Sequence, residues 1–116
     1  MKIDKSLMSG STTLLILSLL QEQDHYGYQM IAALTARSEN VFQMKEGTLY
    51  PALHALEHKG CVVSYEKESP SGRKRKYYRI TRKGLALLAE KEAEWRAFSK
   101  AMGQVLNSRP LASAEG

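Results

Sequence analysis

The chain has 116 residues, 43% of them apolar, and a formal net charge of +5. That length accommodates one small domain burying roughly two-thirds of its unfolded surface, and leaves little room for the deep cleft of an enzyme. The single cysteine, Cys61, excludes an internal disulfide and a cysteine cluster for zinc, and the most apolar stretch, Leu14 to Leu20, is far too short to span a bilayer. The opening MKIDKSLMSG lacks the apolar core of a signal peptide, so a cytoplasmic protein with no membrane partner is expected.

Residues 1–9 are expected as a flexible arm. Residues 10–22 (GSTTLLILSLLQE) predict a helix with Ser11 or Thr12 as its N-cap. Its middle, Leu14 included, is apolar nearly all round and needs cover on more than one side, which a second subunit can supply. Residues 26–37 (YGYQMIAALTAR) predict a second helix, with Tyr28, Ile31, Ala32 and Thr35 at helical spacing, followed by a polar break at Ser38 to Asn40. In 48–59, Leu49, Leu53 and Leu56 form one apolar stripe. Pro51 suits a first turn, which starts that helix at Gly47 or Thr48, and Gly60 suits its C-terminal cap.

After Gly60 the period changes from helical to alternating. Cys61, Val63 and Tyr65 alternate with Val62, Ser64 and Glu66. SPSG at 69–72 is turn chemistry, and Arg75 to Thr81 alternates again with Tyr78 and Ile80 inward. The expected product is a β-hairpin with Gly72, Arg73 and Lys74 at its tip. Thr81 can cap a final helix over 82–107. In it Leu88, Trp95, Phe98, Met102 and Val105 make a coiled-coil-like seam. A disordered tail is expected over 108–116.

The charge is local. RKRKYYRITRK, residues 73–83, contains seven basic side chains and no acid, while acids outnumber bases in the remainder. A solvated face would also carry charge, but one basic segment on a slightly acidic domain fits a polyanionic partner better.

HALEH, residues 54–58, has the His-x-x-Glu-His order of a zinc-peptidase signature. The spacing puts His54 and His58 on one helix face, yet no third ligand stands at a recognisable distance in sequence. No metal, cofactor or catalytic residue is therefore assigned. With the leucines buried, Pro51, His54 and His58 lie on the opposite side of this helix, with Thr48 and Tyr50 at its N-terminal end. Such a face is either merely solvated or offered to bases and phosphates. Two helices, a polar-faced third helix and a basic-tipped hairpin follow the order of a winged helix-turn-helix, whose third helix enters the major groove. The fold class expected is mainly α with a small β-hairpin (α+β): a winged helix-turn-helix over 10–81 plus a long C-terminal dimerisation helix over 82–107.

Tyr26-Gly27-Tyr28, Gly47-Thr48-Leu49-Tyr50-Pro51, then Leu53, Leu56-Glu57 and Gly60, and the run Arg75 to Gly84 (RKYYRITRKG) together resemble the PadR family of bacterial transcriptional regulators, over roughly 10–100. The resemblance is to its short subgroup, with a single C-terminal helix. It implies a homodimer that represses transcription on a palindromic double-stranded DNA operator, associated with the nucleoid when bound. Effectors in the family include phenolic acids and aromatic or cationic drugs, and many members have none known. In some short members a tryptophan of the C-terminal helix lines a drug pore at the dimer centre, and Trp95 stands at the matching place. Its alternative role is plain dimer packing. Glu92, one turn away, is the acid that could hold a cation, without the clear acidic pair of the drug-binding pattern.

The expected DNA contacts are Thr48, Tyr50 and His54 in the major groove and on its flanking phosphates, with Lys45 just before the helix. Arg73, Lys74, Arg75 and Lys76 are expected on the backbone or minor groove. Tyr28 has two readings, a phosphate contact or core packing. Leu14, Leu88, Glu92, Trp95, Phe98, Met102 and Val105 are the expected dimer or small aromatic ligand interface. The competing class is a winged helix that binds protein and no DNA, which usually lacks a basic wing tip.

Overall fold

The computed structural model describes residues 1–108. Residues 109–116 of the expected tail lie outside them. The elements run α1 (Lys5–Ser9), α2 (Thr12–Glu22), β1 (His25–Tyr26), α3 (Gly27–Arg37), α4 (Glu46–His58), β2 (Val62–Glu68), β3 (Lys74–Ile80) and α5 (Arg82–Asn107). The strands form one antiparallel sheet in the order β1-β3-β2. The fold is α+β, with the helix order and hairpin of a winged helix. No helix among the described residues is long and apolar enough to cross a membrane.

Local chemistry sets the boundaries. α3 starts at Gly27 because the Gln29 side chain turns back to accept from the Tyr26 backbone N–H at 3.2 Å, as in a capping box. α4 stops at Gly60, whose φ of +79° an L side chain rarely adopts. There the Gly60 N–H donates to the Glu57 carbonyl and the Cys61 N–H to that of Leu56, a Schellman arrangement. Thr81 caps α5 by accepting from the Gly84 N–H at 3.1 Å, and its hydroxyl donates to the Gly60 carbonyl at 2.6 Å. One threonine thus starts α5 and ties it to the end of α4.

The core is built from Ile16, Leu17 and Leu20 of α2, Met30 and Leu34 of α3, the α4 leucines, Val62 and Tyr78 of the sheet, and Leu88 of α5. Four differences from the sequence expectations have clear causes. Residues 1–9, expected as an arm, include α1, because the Asp4 carboxylate accepts from the Ser6 N–H at 2.9 Å and caps it. The apolar middle of α2 is covered mainly within the chain, by α3, α4, α5 and β3. The inward stripe of α3 is Gly27, Met30 and Leu34, so Tyr28 is 67% exposed. α4 starts one residue earlier than expected, at Glu46, which carries Pro51 beyond the first turn.

Candidate nucleic-acid interface

α4 separates its faces cleanly. Leu49, Leu53 and Leu56 are buried, while Thr48, His54 and His58 are exposed. Lys45 is the exposed N-cap residue and makes no side-chain cap, so its ammonium group remains available. Tyr50 differs from expectation in being half-buried. Its ring lies over Gly27, where an added Cβ would collide with the phenol. Tyr50 therefore helps hold the start of α3 against α4, and Tyr28 sits one residue beyond that junction. Near the other end of α4, the Ser64 hydroxyl donates to the Glu57 carboxylate at 2.6 Å and fixes the wing root to the helix. This bond occupies the glutamate of the HALEH run. Among the described residues no group of three or more His, Cys, Asp and Glu side chains could hold a metal ion.

The hairpin β2–β3 is the wing. Its turn is closed by the Ser69 N–H donating to the Arg73 carbonyl at 2.7 Å. The basic segment that is continuous in sequence is divided by the pleat, because neighbours on a strand point to opposite faces. Lys74 and Lys76 share a face with buried Tyr78, while Arg75 points to the other and lies over the Tyr26 ring at 4.5 Å. Arg73 stays exposed in the turn, and Arg82 and Lys83 open α5 at the wing root. The four expected wing cations are thus not one patch.

Sequence reasoning missed the side chains beside Arg75. Tyr26, Tyr77 and Tyr65 form a row with ring centroids 5.4 and 5.8 Å apart, and Arg79 lies over Tyr65 at 5.1 Å. Asp24 ties this row down by accepting from the Tyr65 hydroxyl and pairing with Arg79 at 3.0 Å. Burial alone would raise the Asp24 pKa, but these two donors hold it below the ordinary carboxylate range. The period-2 alternation of 74–80 was the signal that could have separated Arg75 from Lys74 and Lys76. β1 left no such signal, being two residues long.

In β1 itself, His25 is buried, and among the described residues neither ring nitrogen has a hydrogen-bond partner. Burial pushes its pKa down, so the fold holds the neutral ring.

α5 presents the remaining expected residues. Trp95, Phe98, Met102 and Val105 are 52%, 55%, 45% and 72% exposed. Leu88, assigned in sequence to that seam, belongs instead to the core, because α5 still packs against α2 at that turn. Leu14 is half-buried and joins Leu7, Phe42, Trp95 and Phe98 around a cleft of about 510 Å³. The acid lining this cleft is Glu94, paired with Lys91 at 3.6 Å. Glu92, the acid expected there, pairs with Arg96 at 3.4 Å, one helical turn further on.

The sequence pattern of the transcriptional regulator PadR-like family matches residues 16–90. The chain is 40% identical over 93 residues to an uncharacterized protein of Lysinibacillus sphaericus, covering 80% of this chain and 85% of that one. It is 37% identical over 79 residues to a transcriptional regulator of Mycobacterium tuberculosis, covering 68% and 70%. Among solved structures, a transcriptional regulator from Clostridium thermocellum superposes with a TM-score of 0.81 at 34% identity, covering 88% of this chain and 96% of that one. A PadR family transcriptional regulator from Eggerthella lenta gives 0.77 at 34% identity, covering 90% and 88%.

Proposed function

This chain belongs to the PadR-like family of transcriptional regulators, not to a family of enzymes, and on that premise we propose that it is a cytoplasmic, homodimeric repressor of a palindromic operator. The observation that carries this reading is the division of labour on α4. Its leucines are buried, and the polar groups it leaves exposed stand in one chain with a basic wing.

Thr48 and His54 reach base edges in the major groove, Lys45 adds a phosphate contact, and the exposed wing cations Arg73, Lys74 and Lys76 hold the neighbouring backbone. Tyr50 acts mainly by positioning. None of the α4 groups is an arginine able to make the bidentate guanine contact, so specificity leans on DNA shape and half-site spacing. The exposed apolar stripe of α5 is covered by α5 of a second copy, which sets the two recognition helices about one DNA turn apart. A small aromatic molecule entering the cleft beside Trp95 and Phe98 would release DNA by favouring a different spacing.

The test is fluorescence anisotropy across a salt series, with duplex from upstream of the chain's own gene beside a scrambled duplex. Three to five phosphates neutralised per subunit give a log–log slope of about −5 to −9. Specific binding persisting at about 150 mM salt is the expected outcome. No binding to either duplex at low salt would replace this reading with the protein-binding winged helix.

A further inference from the structure

The two faces of the wing differ in charge pairing. On the face toward α4, β2 and β3 place Glu66 opposite Lys76 and Glu68 opposite Lys74. Each cation there has a carboxylate directly across the ladder. On the outer face, Lys67 stands opposite Arg75. Like charges facing each other across a ladder destabilise a hairpin. Neither these two nor Lys74 and Lys76 make an ion pair within 4.0 Å among the described residues, so the faces differ in which charges the ladder sets opposite each other. Asp24, the carboxylate that reaches this face, is committed to Tyr65 and Arg79.

The same face fixes its cations. Arg75 lies over Tyr26, Arg79 over Tyr65, and the Lys67 ammonium 5.7 Å from the Tyr77 centroid. The ring faces are taken up by one another and by these cations, so they do not form a stacking platform for bases. With Tyr65 and Arg79 already donating to Asp24, the N–H groups of Lys67 and Arg75 are the donors this face has left for phosphate oxygens. The Arg75 guanidinium, 4.5 Å from the Tyr26 centroid, makes no side-chain hydrogen bond among the described residues that would occupy its donors.

We propose that this outer wing face, with Lys67 and Arg75 as its free cations, is a second phosphate-binding surface that grips duplex DNA flanking the site read by α4. The proposal rests on the DNA-binding reading above and adds a partner segment that neither α4 nor the turn reaches. The uncompensated Lys67–Arg75 pair is then a local loss of stability that bound phosphate relieves.

The experiment uses the full chain and a duplex it selects from a random-sequence pool. Binding is measured across salt to that duplex trimmed to the two half-sites read by α4, and again with about ten base pairs, one helical turn, added on each side. For the wild type, the long duplex is expected to bind more tightly, with a slope steeper by about 2–4 units. Lys67→Gln should remove about 2 of those units, one phosphate on each subunit, and leave the trimmed duplex unaffected. Lys67→Glu, which creates an opposite-charge pair with Arg75, should raise Tm while abolishing the gain from the flanks. Equal wild-type slopes on both duplexes would overturn the proposal alone and leave this face to an acidic protein segment. An equal loss in Lys67→Gln on both duplexes, or a lower Tm in Lys67→Glu, would overturn it as well. Failure of the wild type to select any duplex would sink the DNA-binding reading together with it.

Discussion

α4 and the distal half of α5 are both amphipathic, but their apolar stripes meet different fates. In α4 the leucines are buried against α2, α3 and the sheet, so the helix is complete within one chain and leaves a polar face outward. In α5 the packing ends at Leu88, and Trp95, Phe98, Met102 and Val105 continue the stripe into solvent. A buried stripe with a free polar face is suited to a polar partner. An uncovered stripe calls for an apolar one, and a second α5 offers the same surface in return.

The comparison is broken most severely by charging α5. Trp95→Asp with Phe98→Asp should raise the dimer dissociation constant at least about 1000-fold, from roughly 2 kcal/mol for each lost aromatic anchor. Far-UV circular dichroism should show the winged domain still folded, because these side chains lie outside its core. An unchanged sedimentation coefficient would mean that α5 does not carry the dimer.

Next in size is damage to the covered stripe. Leu53→Ala should cost about 2–5 kcal/mol in denaturant unfolding, since Leu53 is fully buried and its loss leaves a cavity. A loss below about 1 kcal/mol would show the core to be far looser than its burial implies. The adjacent His54→Ala sharpens the contrast. It should change stability by less than about 0.5 kcal/mol yet weaken operator binding about tenfold across two half-sites. Equal operator affinity would place His54 outside the interface.

The smallest effect expected is a pH dependence. The His25 pKa is depressed by burial, so the unfolded chain binds the proton more readily than the folded one. Its contribution to stability is complete above the unfolded value of about 6.5 and is lost as pH falls through the folded value. Asp24 acts in the same direction at more acid pH. Tm should therefore decline from pH 7 toward pH 5, and His25→Leu should flatten that decline without lowering Tm at pH 7. A decline of the same size in the variant would assign it to other groups.

The parts of the molecule legible in the sequence are those where a single period holds over a whole element. The α4 leucines repeat strictly, and the hairpin alternates around strong turn residues. Leu88 was misplaced because its seven-residue step to Trp95 continues one stripe from the core onto the open seam. Periodicity does not mark where a chain's own α2 stops covering it. The α3 face was read one residue out of phase, since Gly27 and Tyr28 both begin plausible helical stripes. In the basic segment, contiguous charge in sequence concealed that a pleat sends Arg75 away from Lys74 and Lys76. The ties of Asp24 and Glu57 depend on residues far apart in sequence, and no local pattern reports them.

The most direct test is sedimentation velocity of the full chain, alone and with its labelled duplex. The predicted result is a dimer in the absence of DNA and two chains on each duplex in its presence. A stable monomer, or a dimer that leaves the duplex sedimenting free at low salt, would contradict the assignment of α5 to a second copy and α4 to DNA.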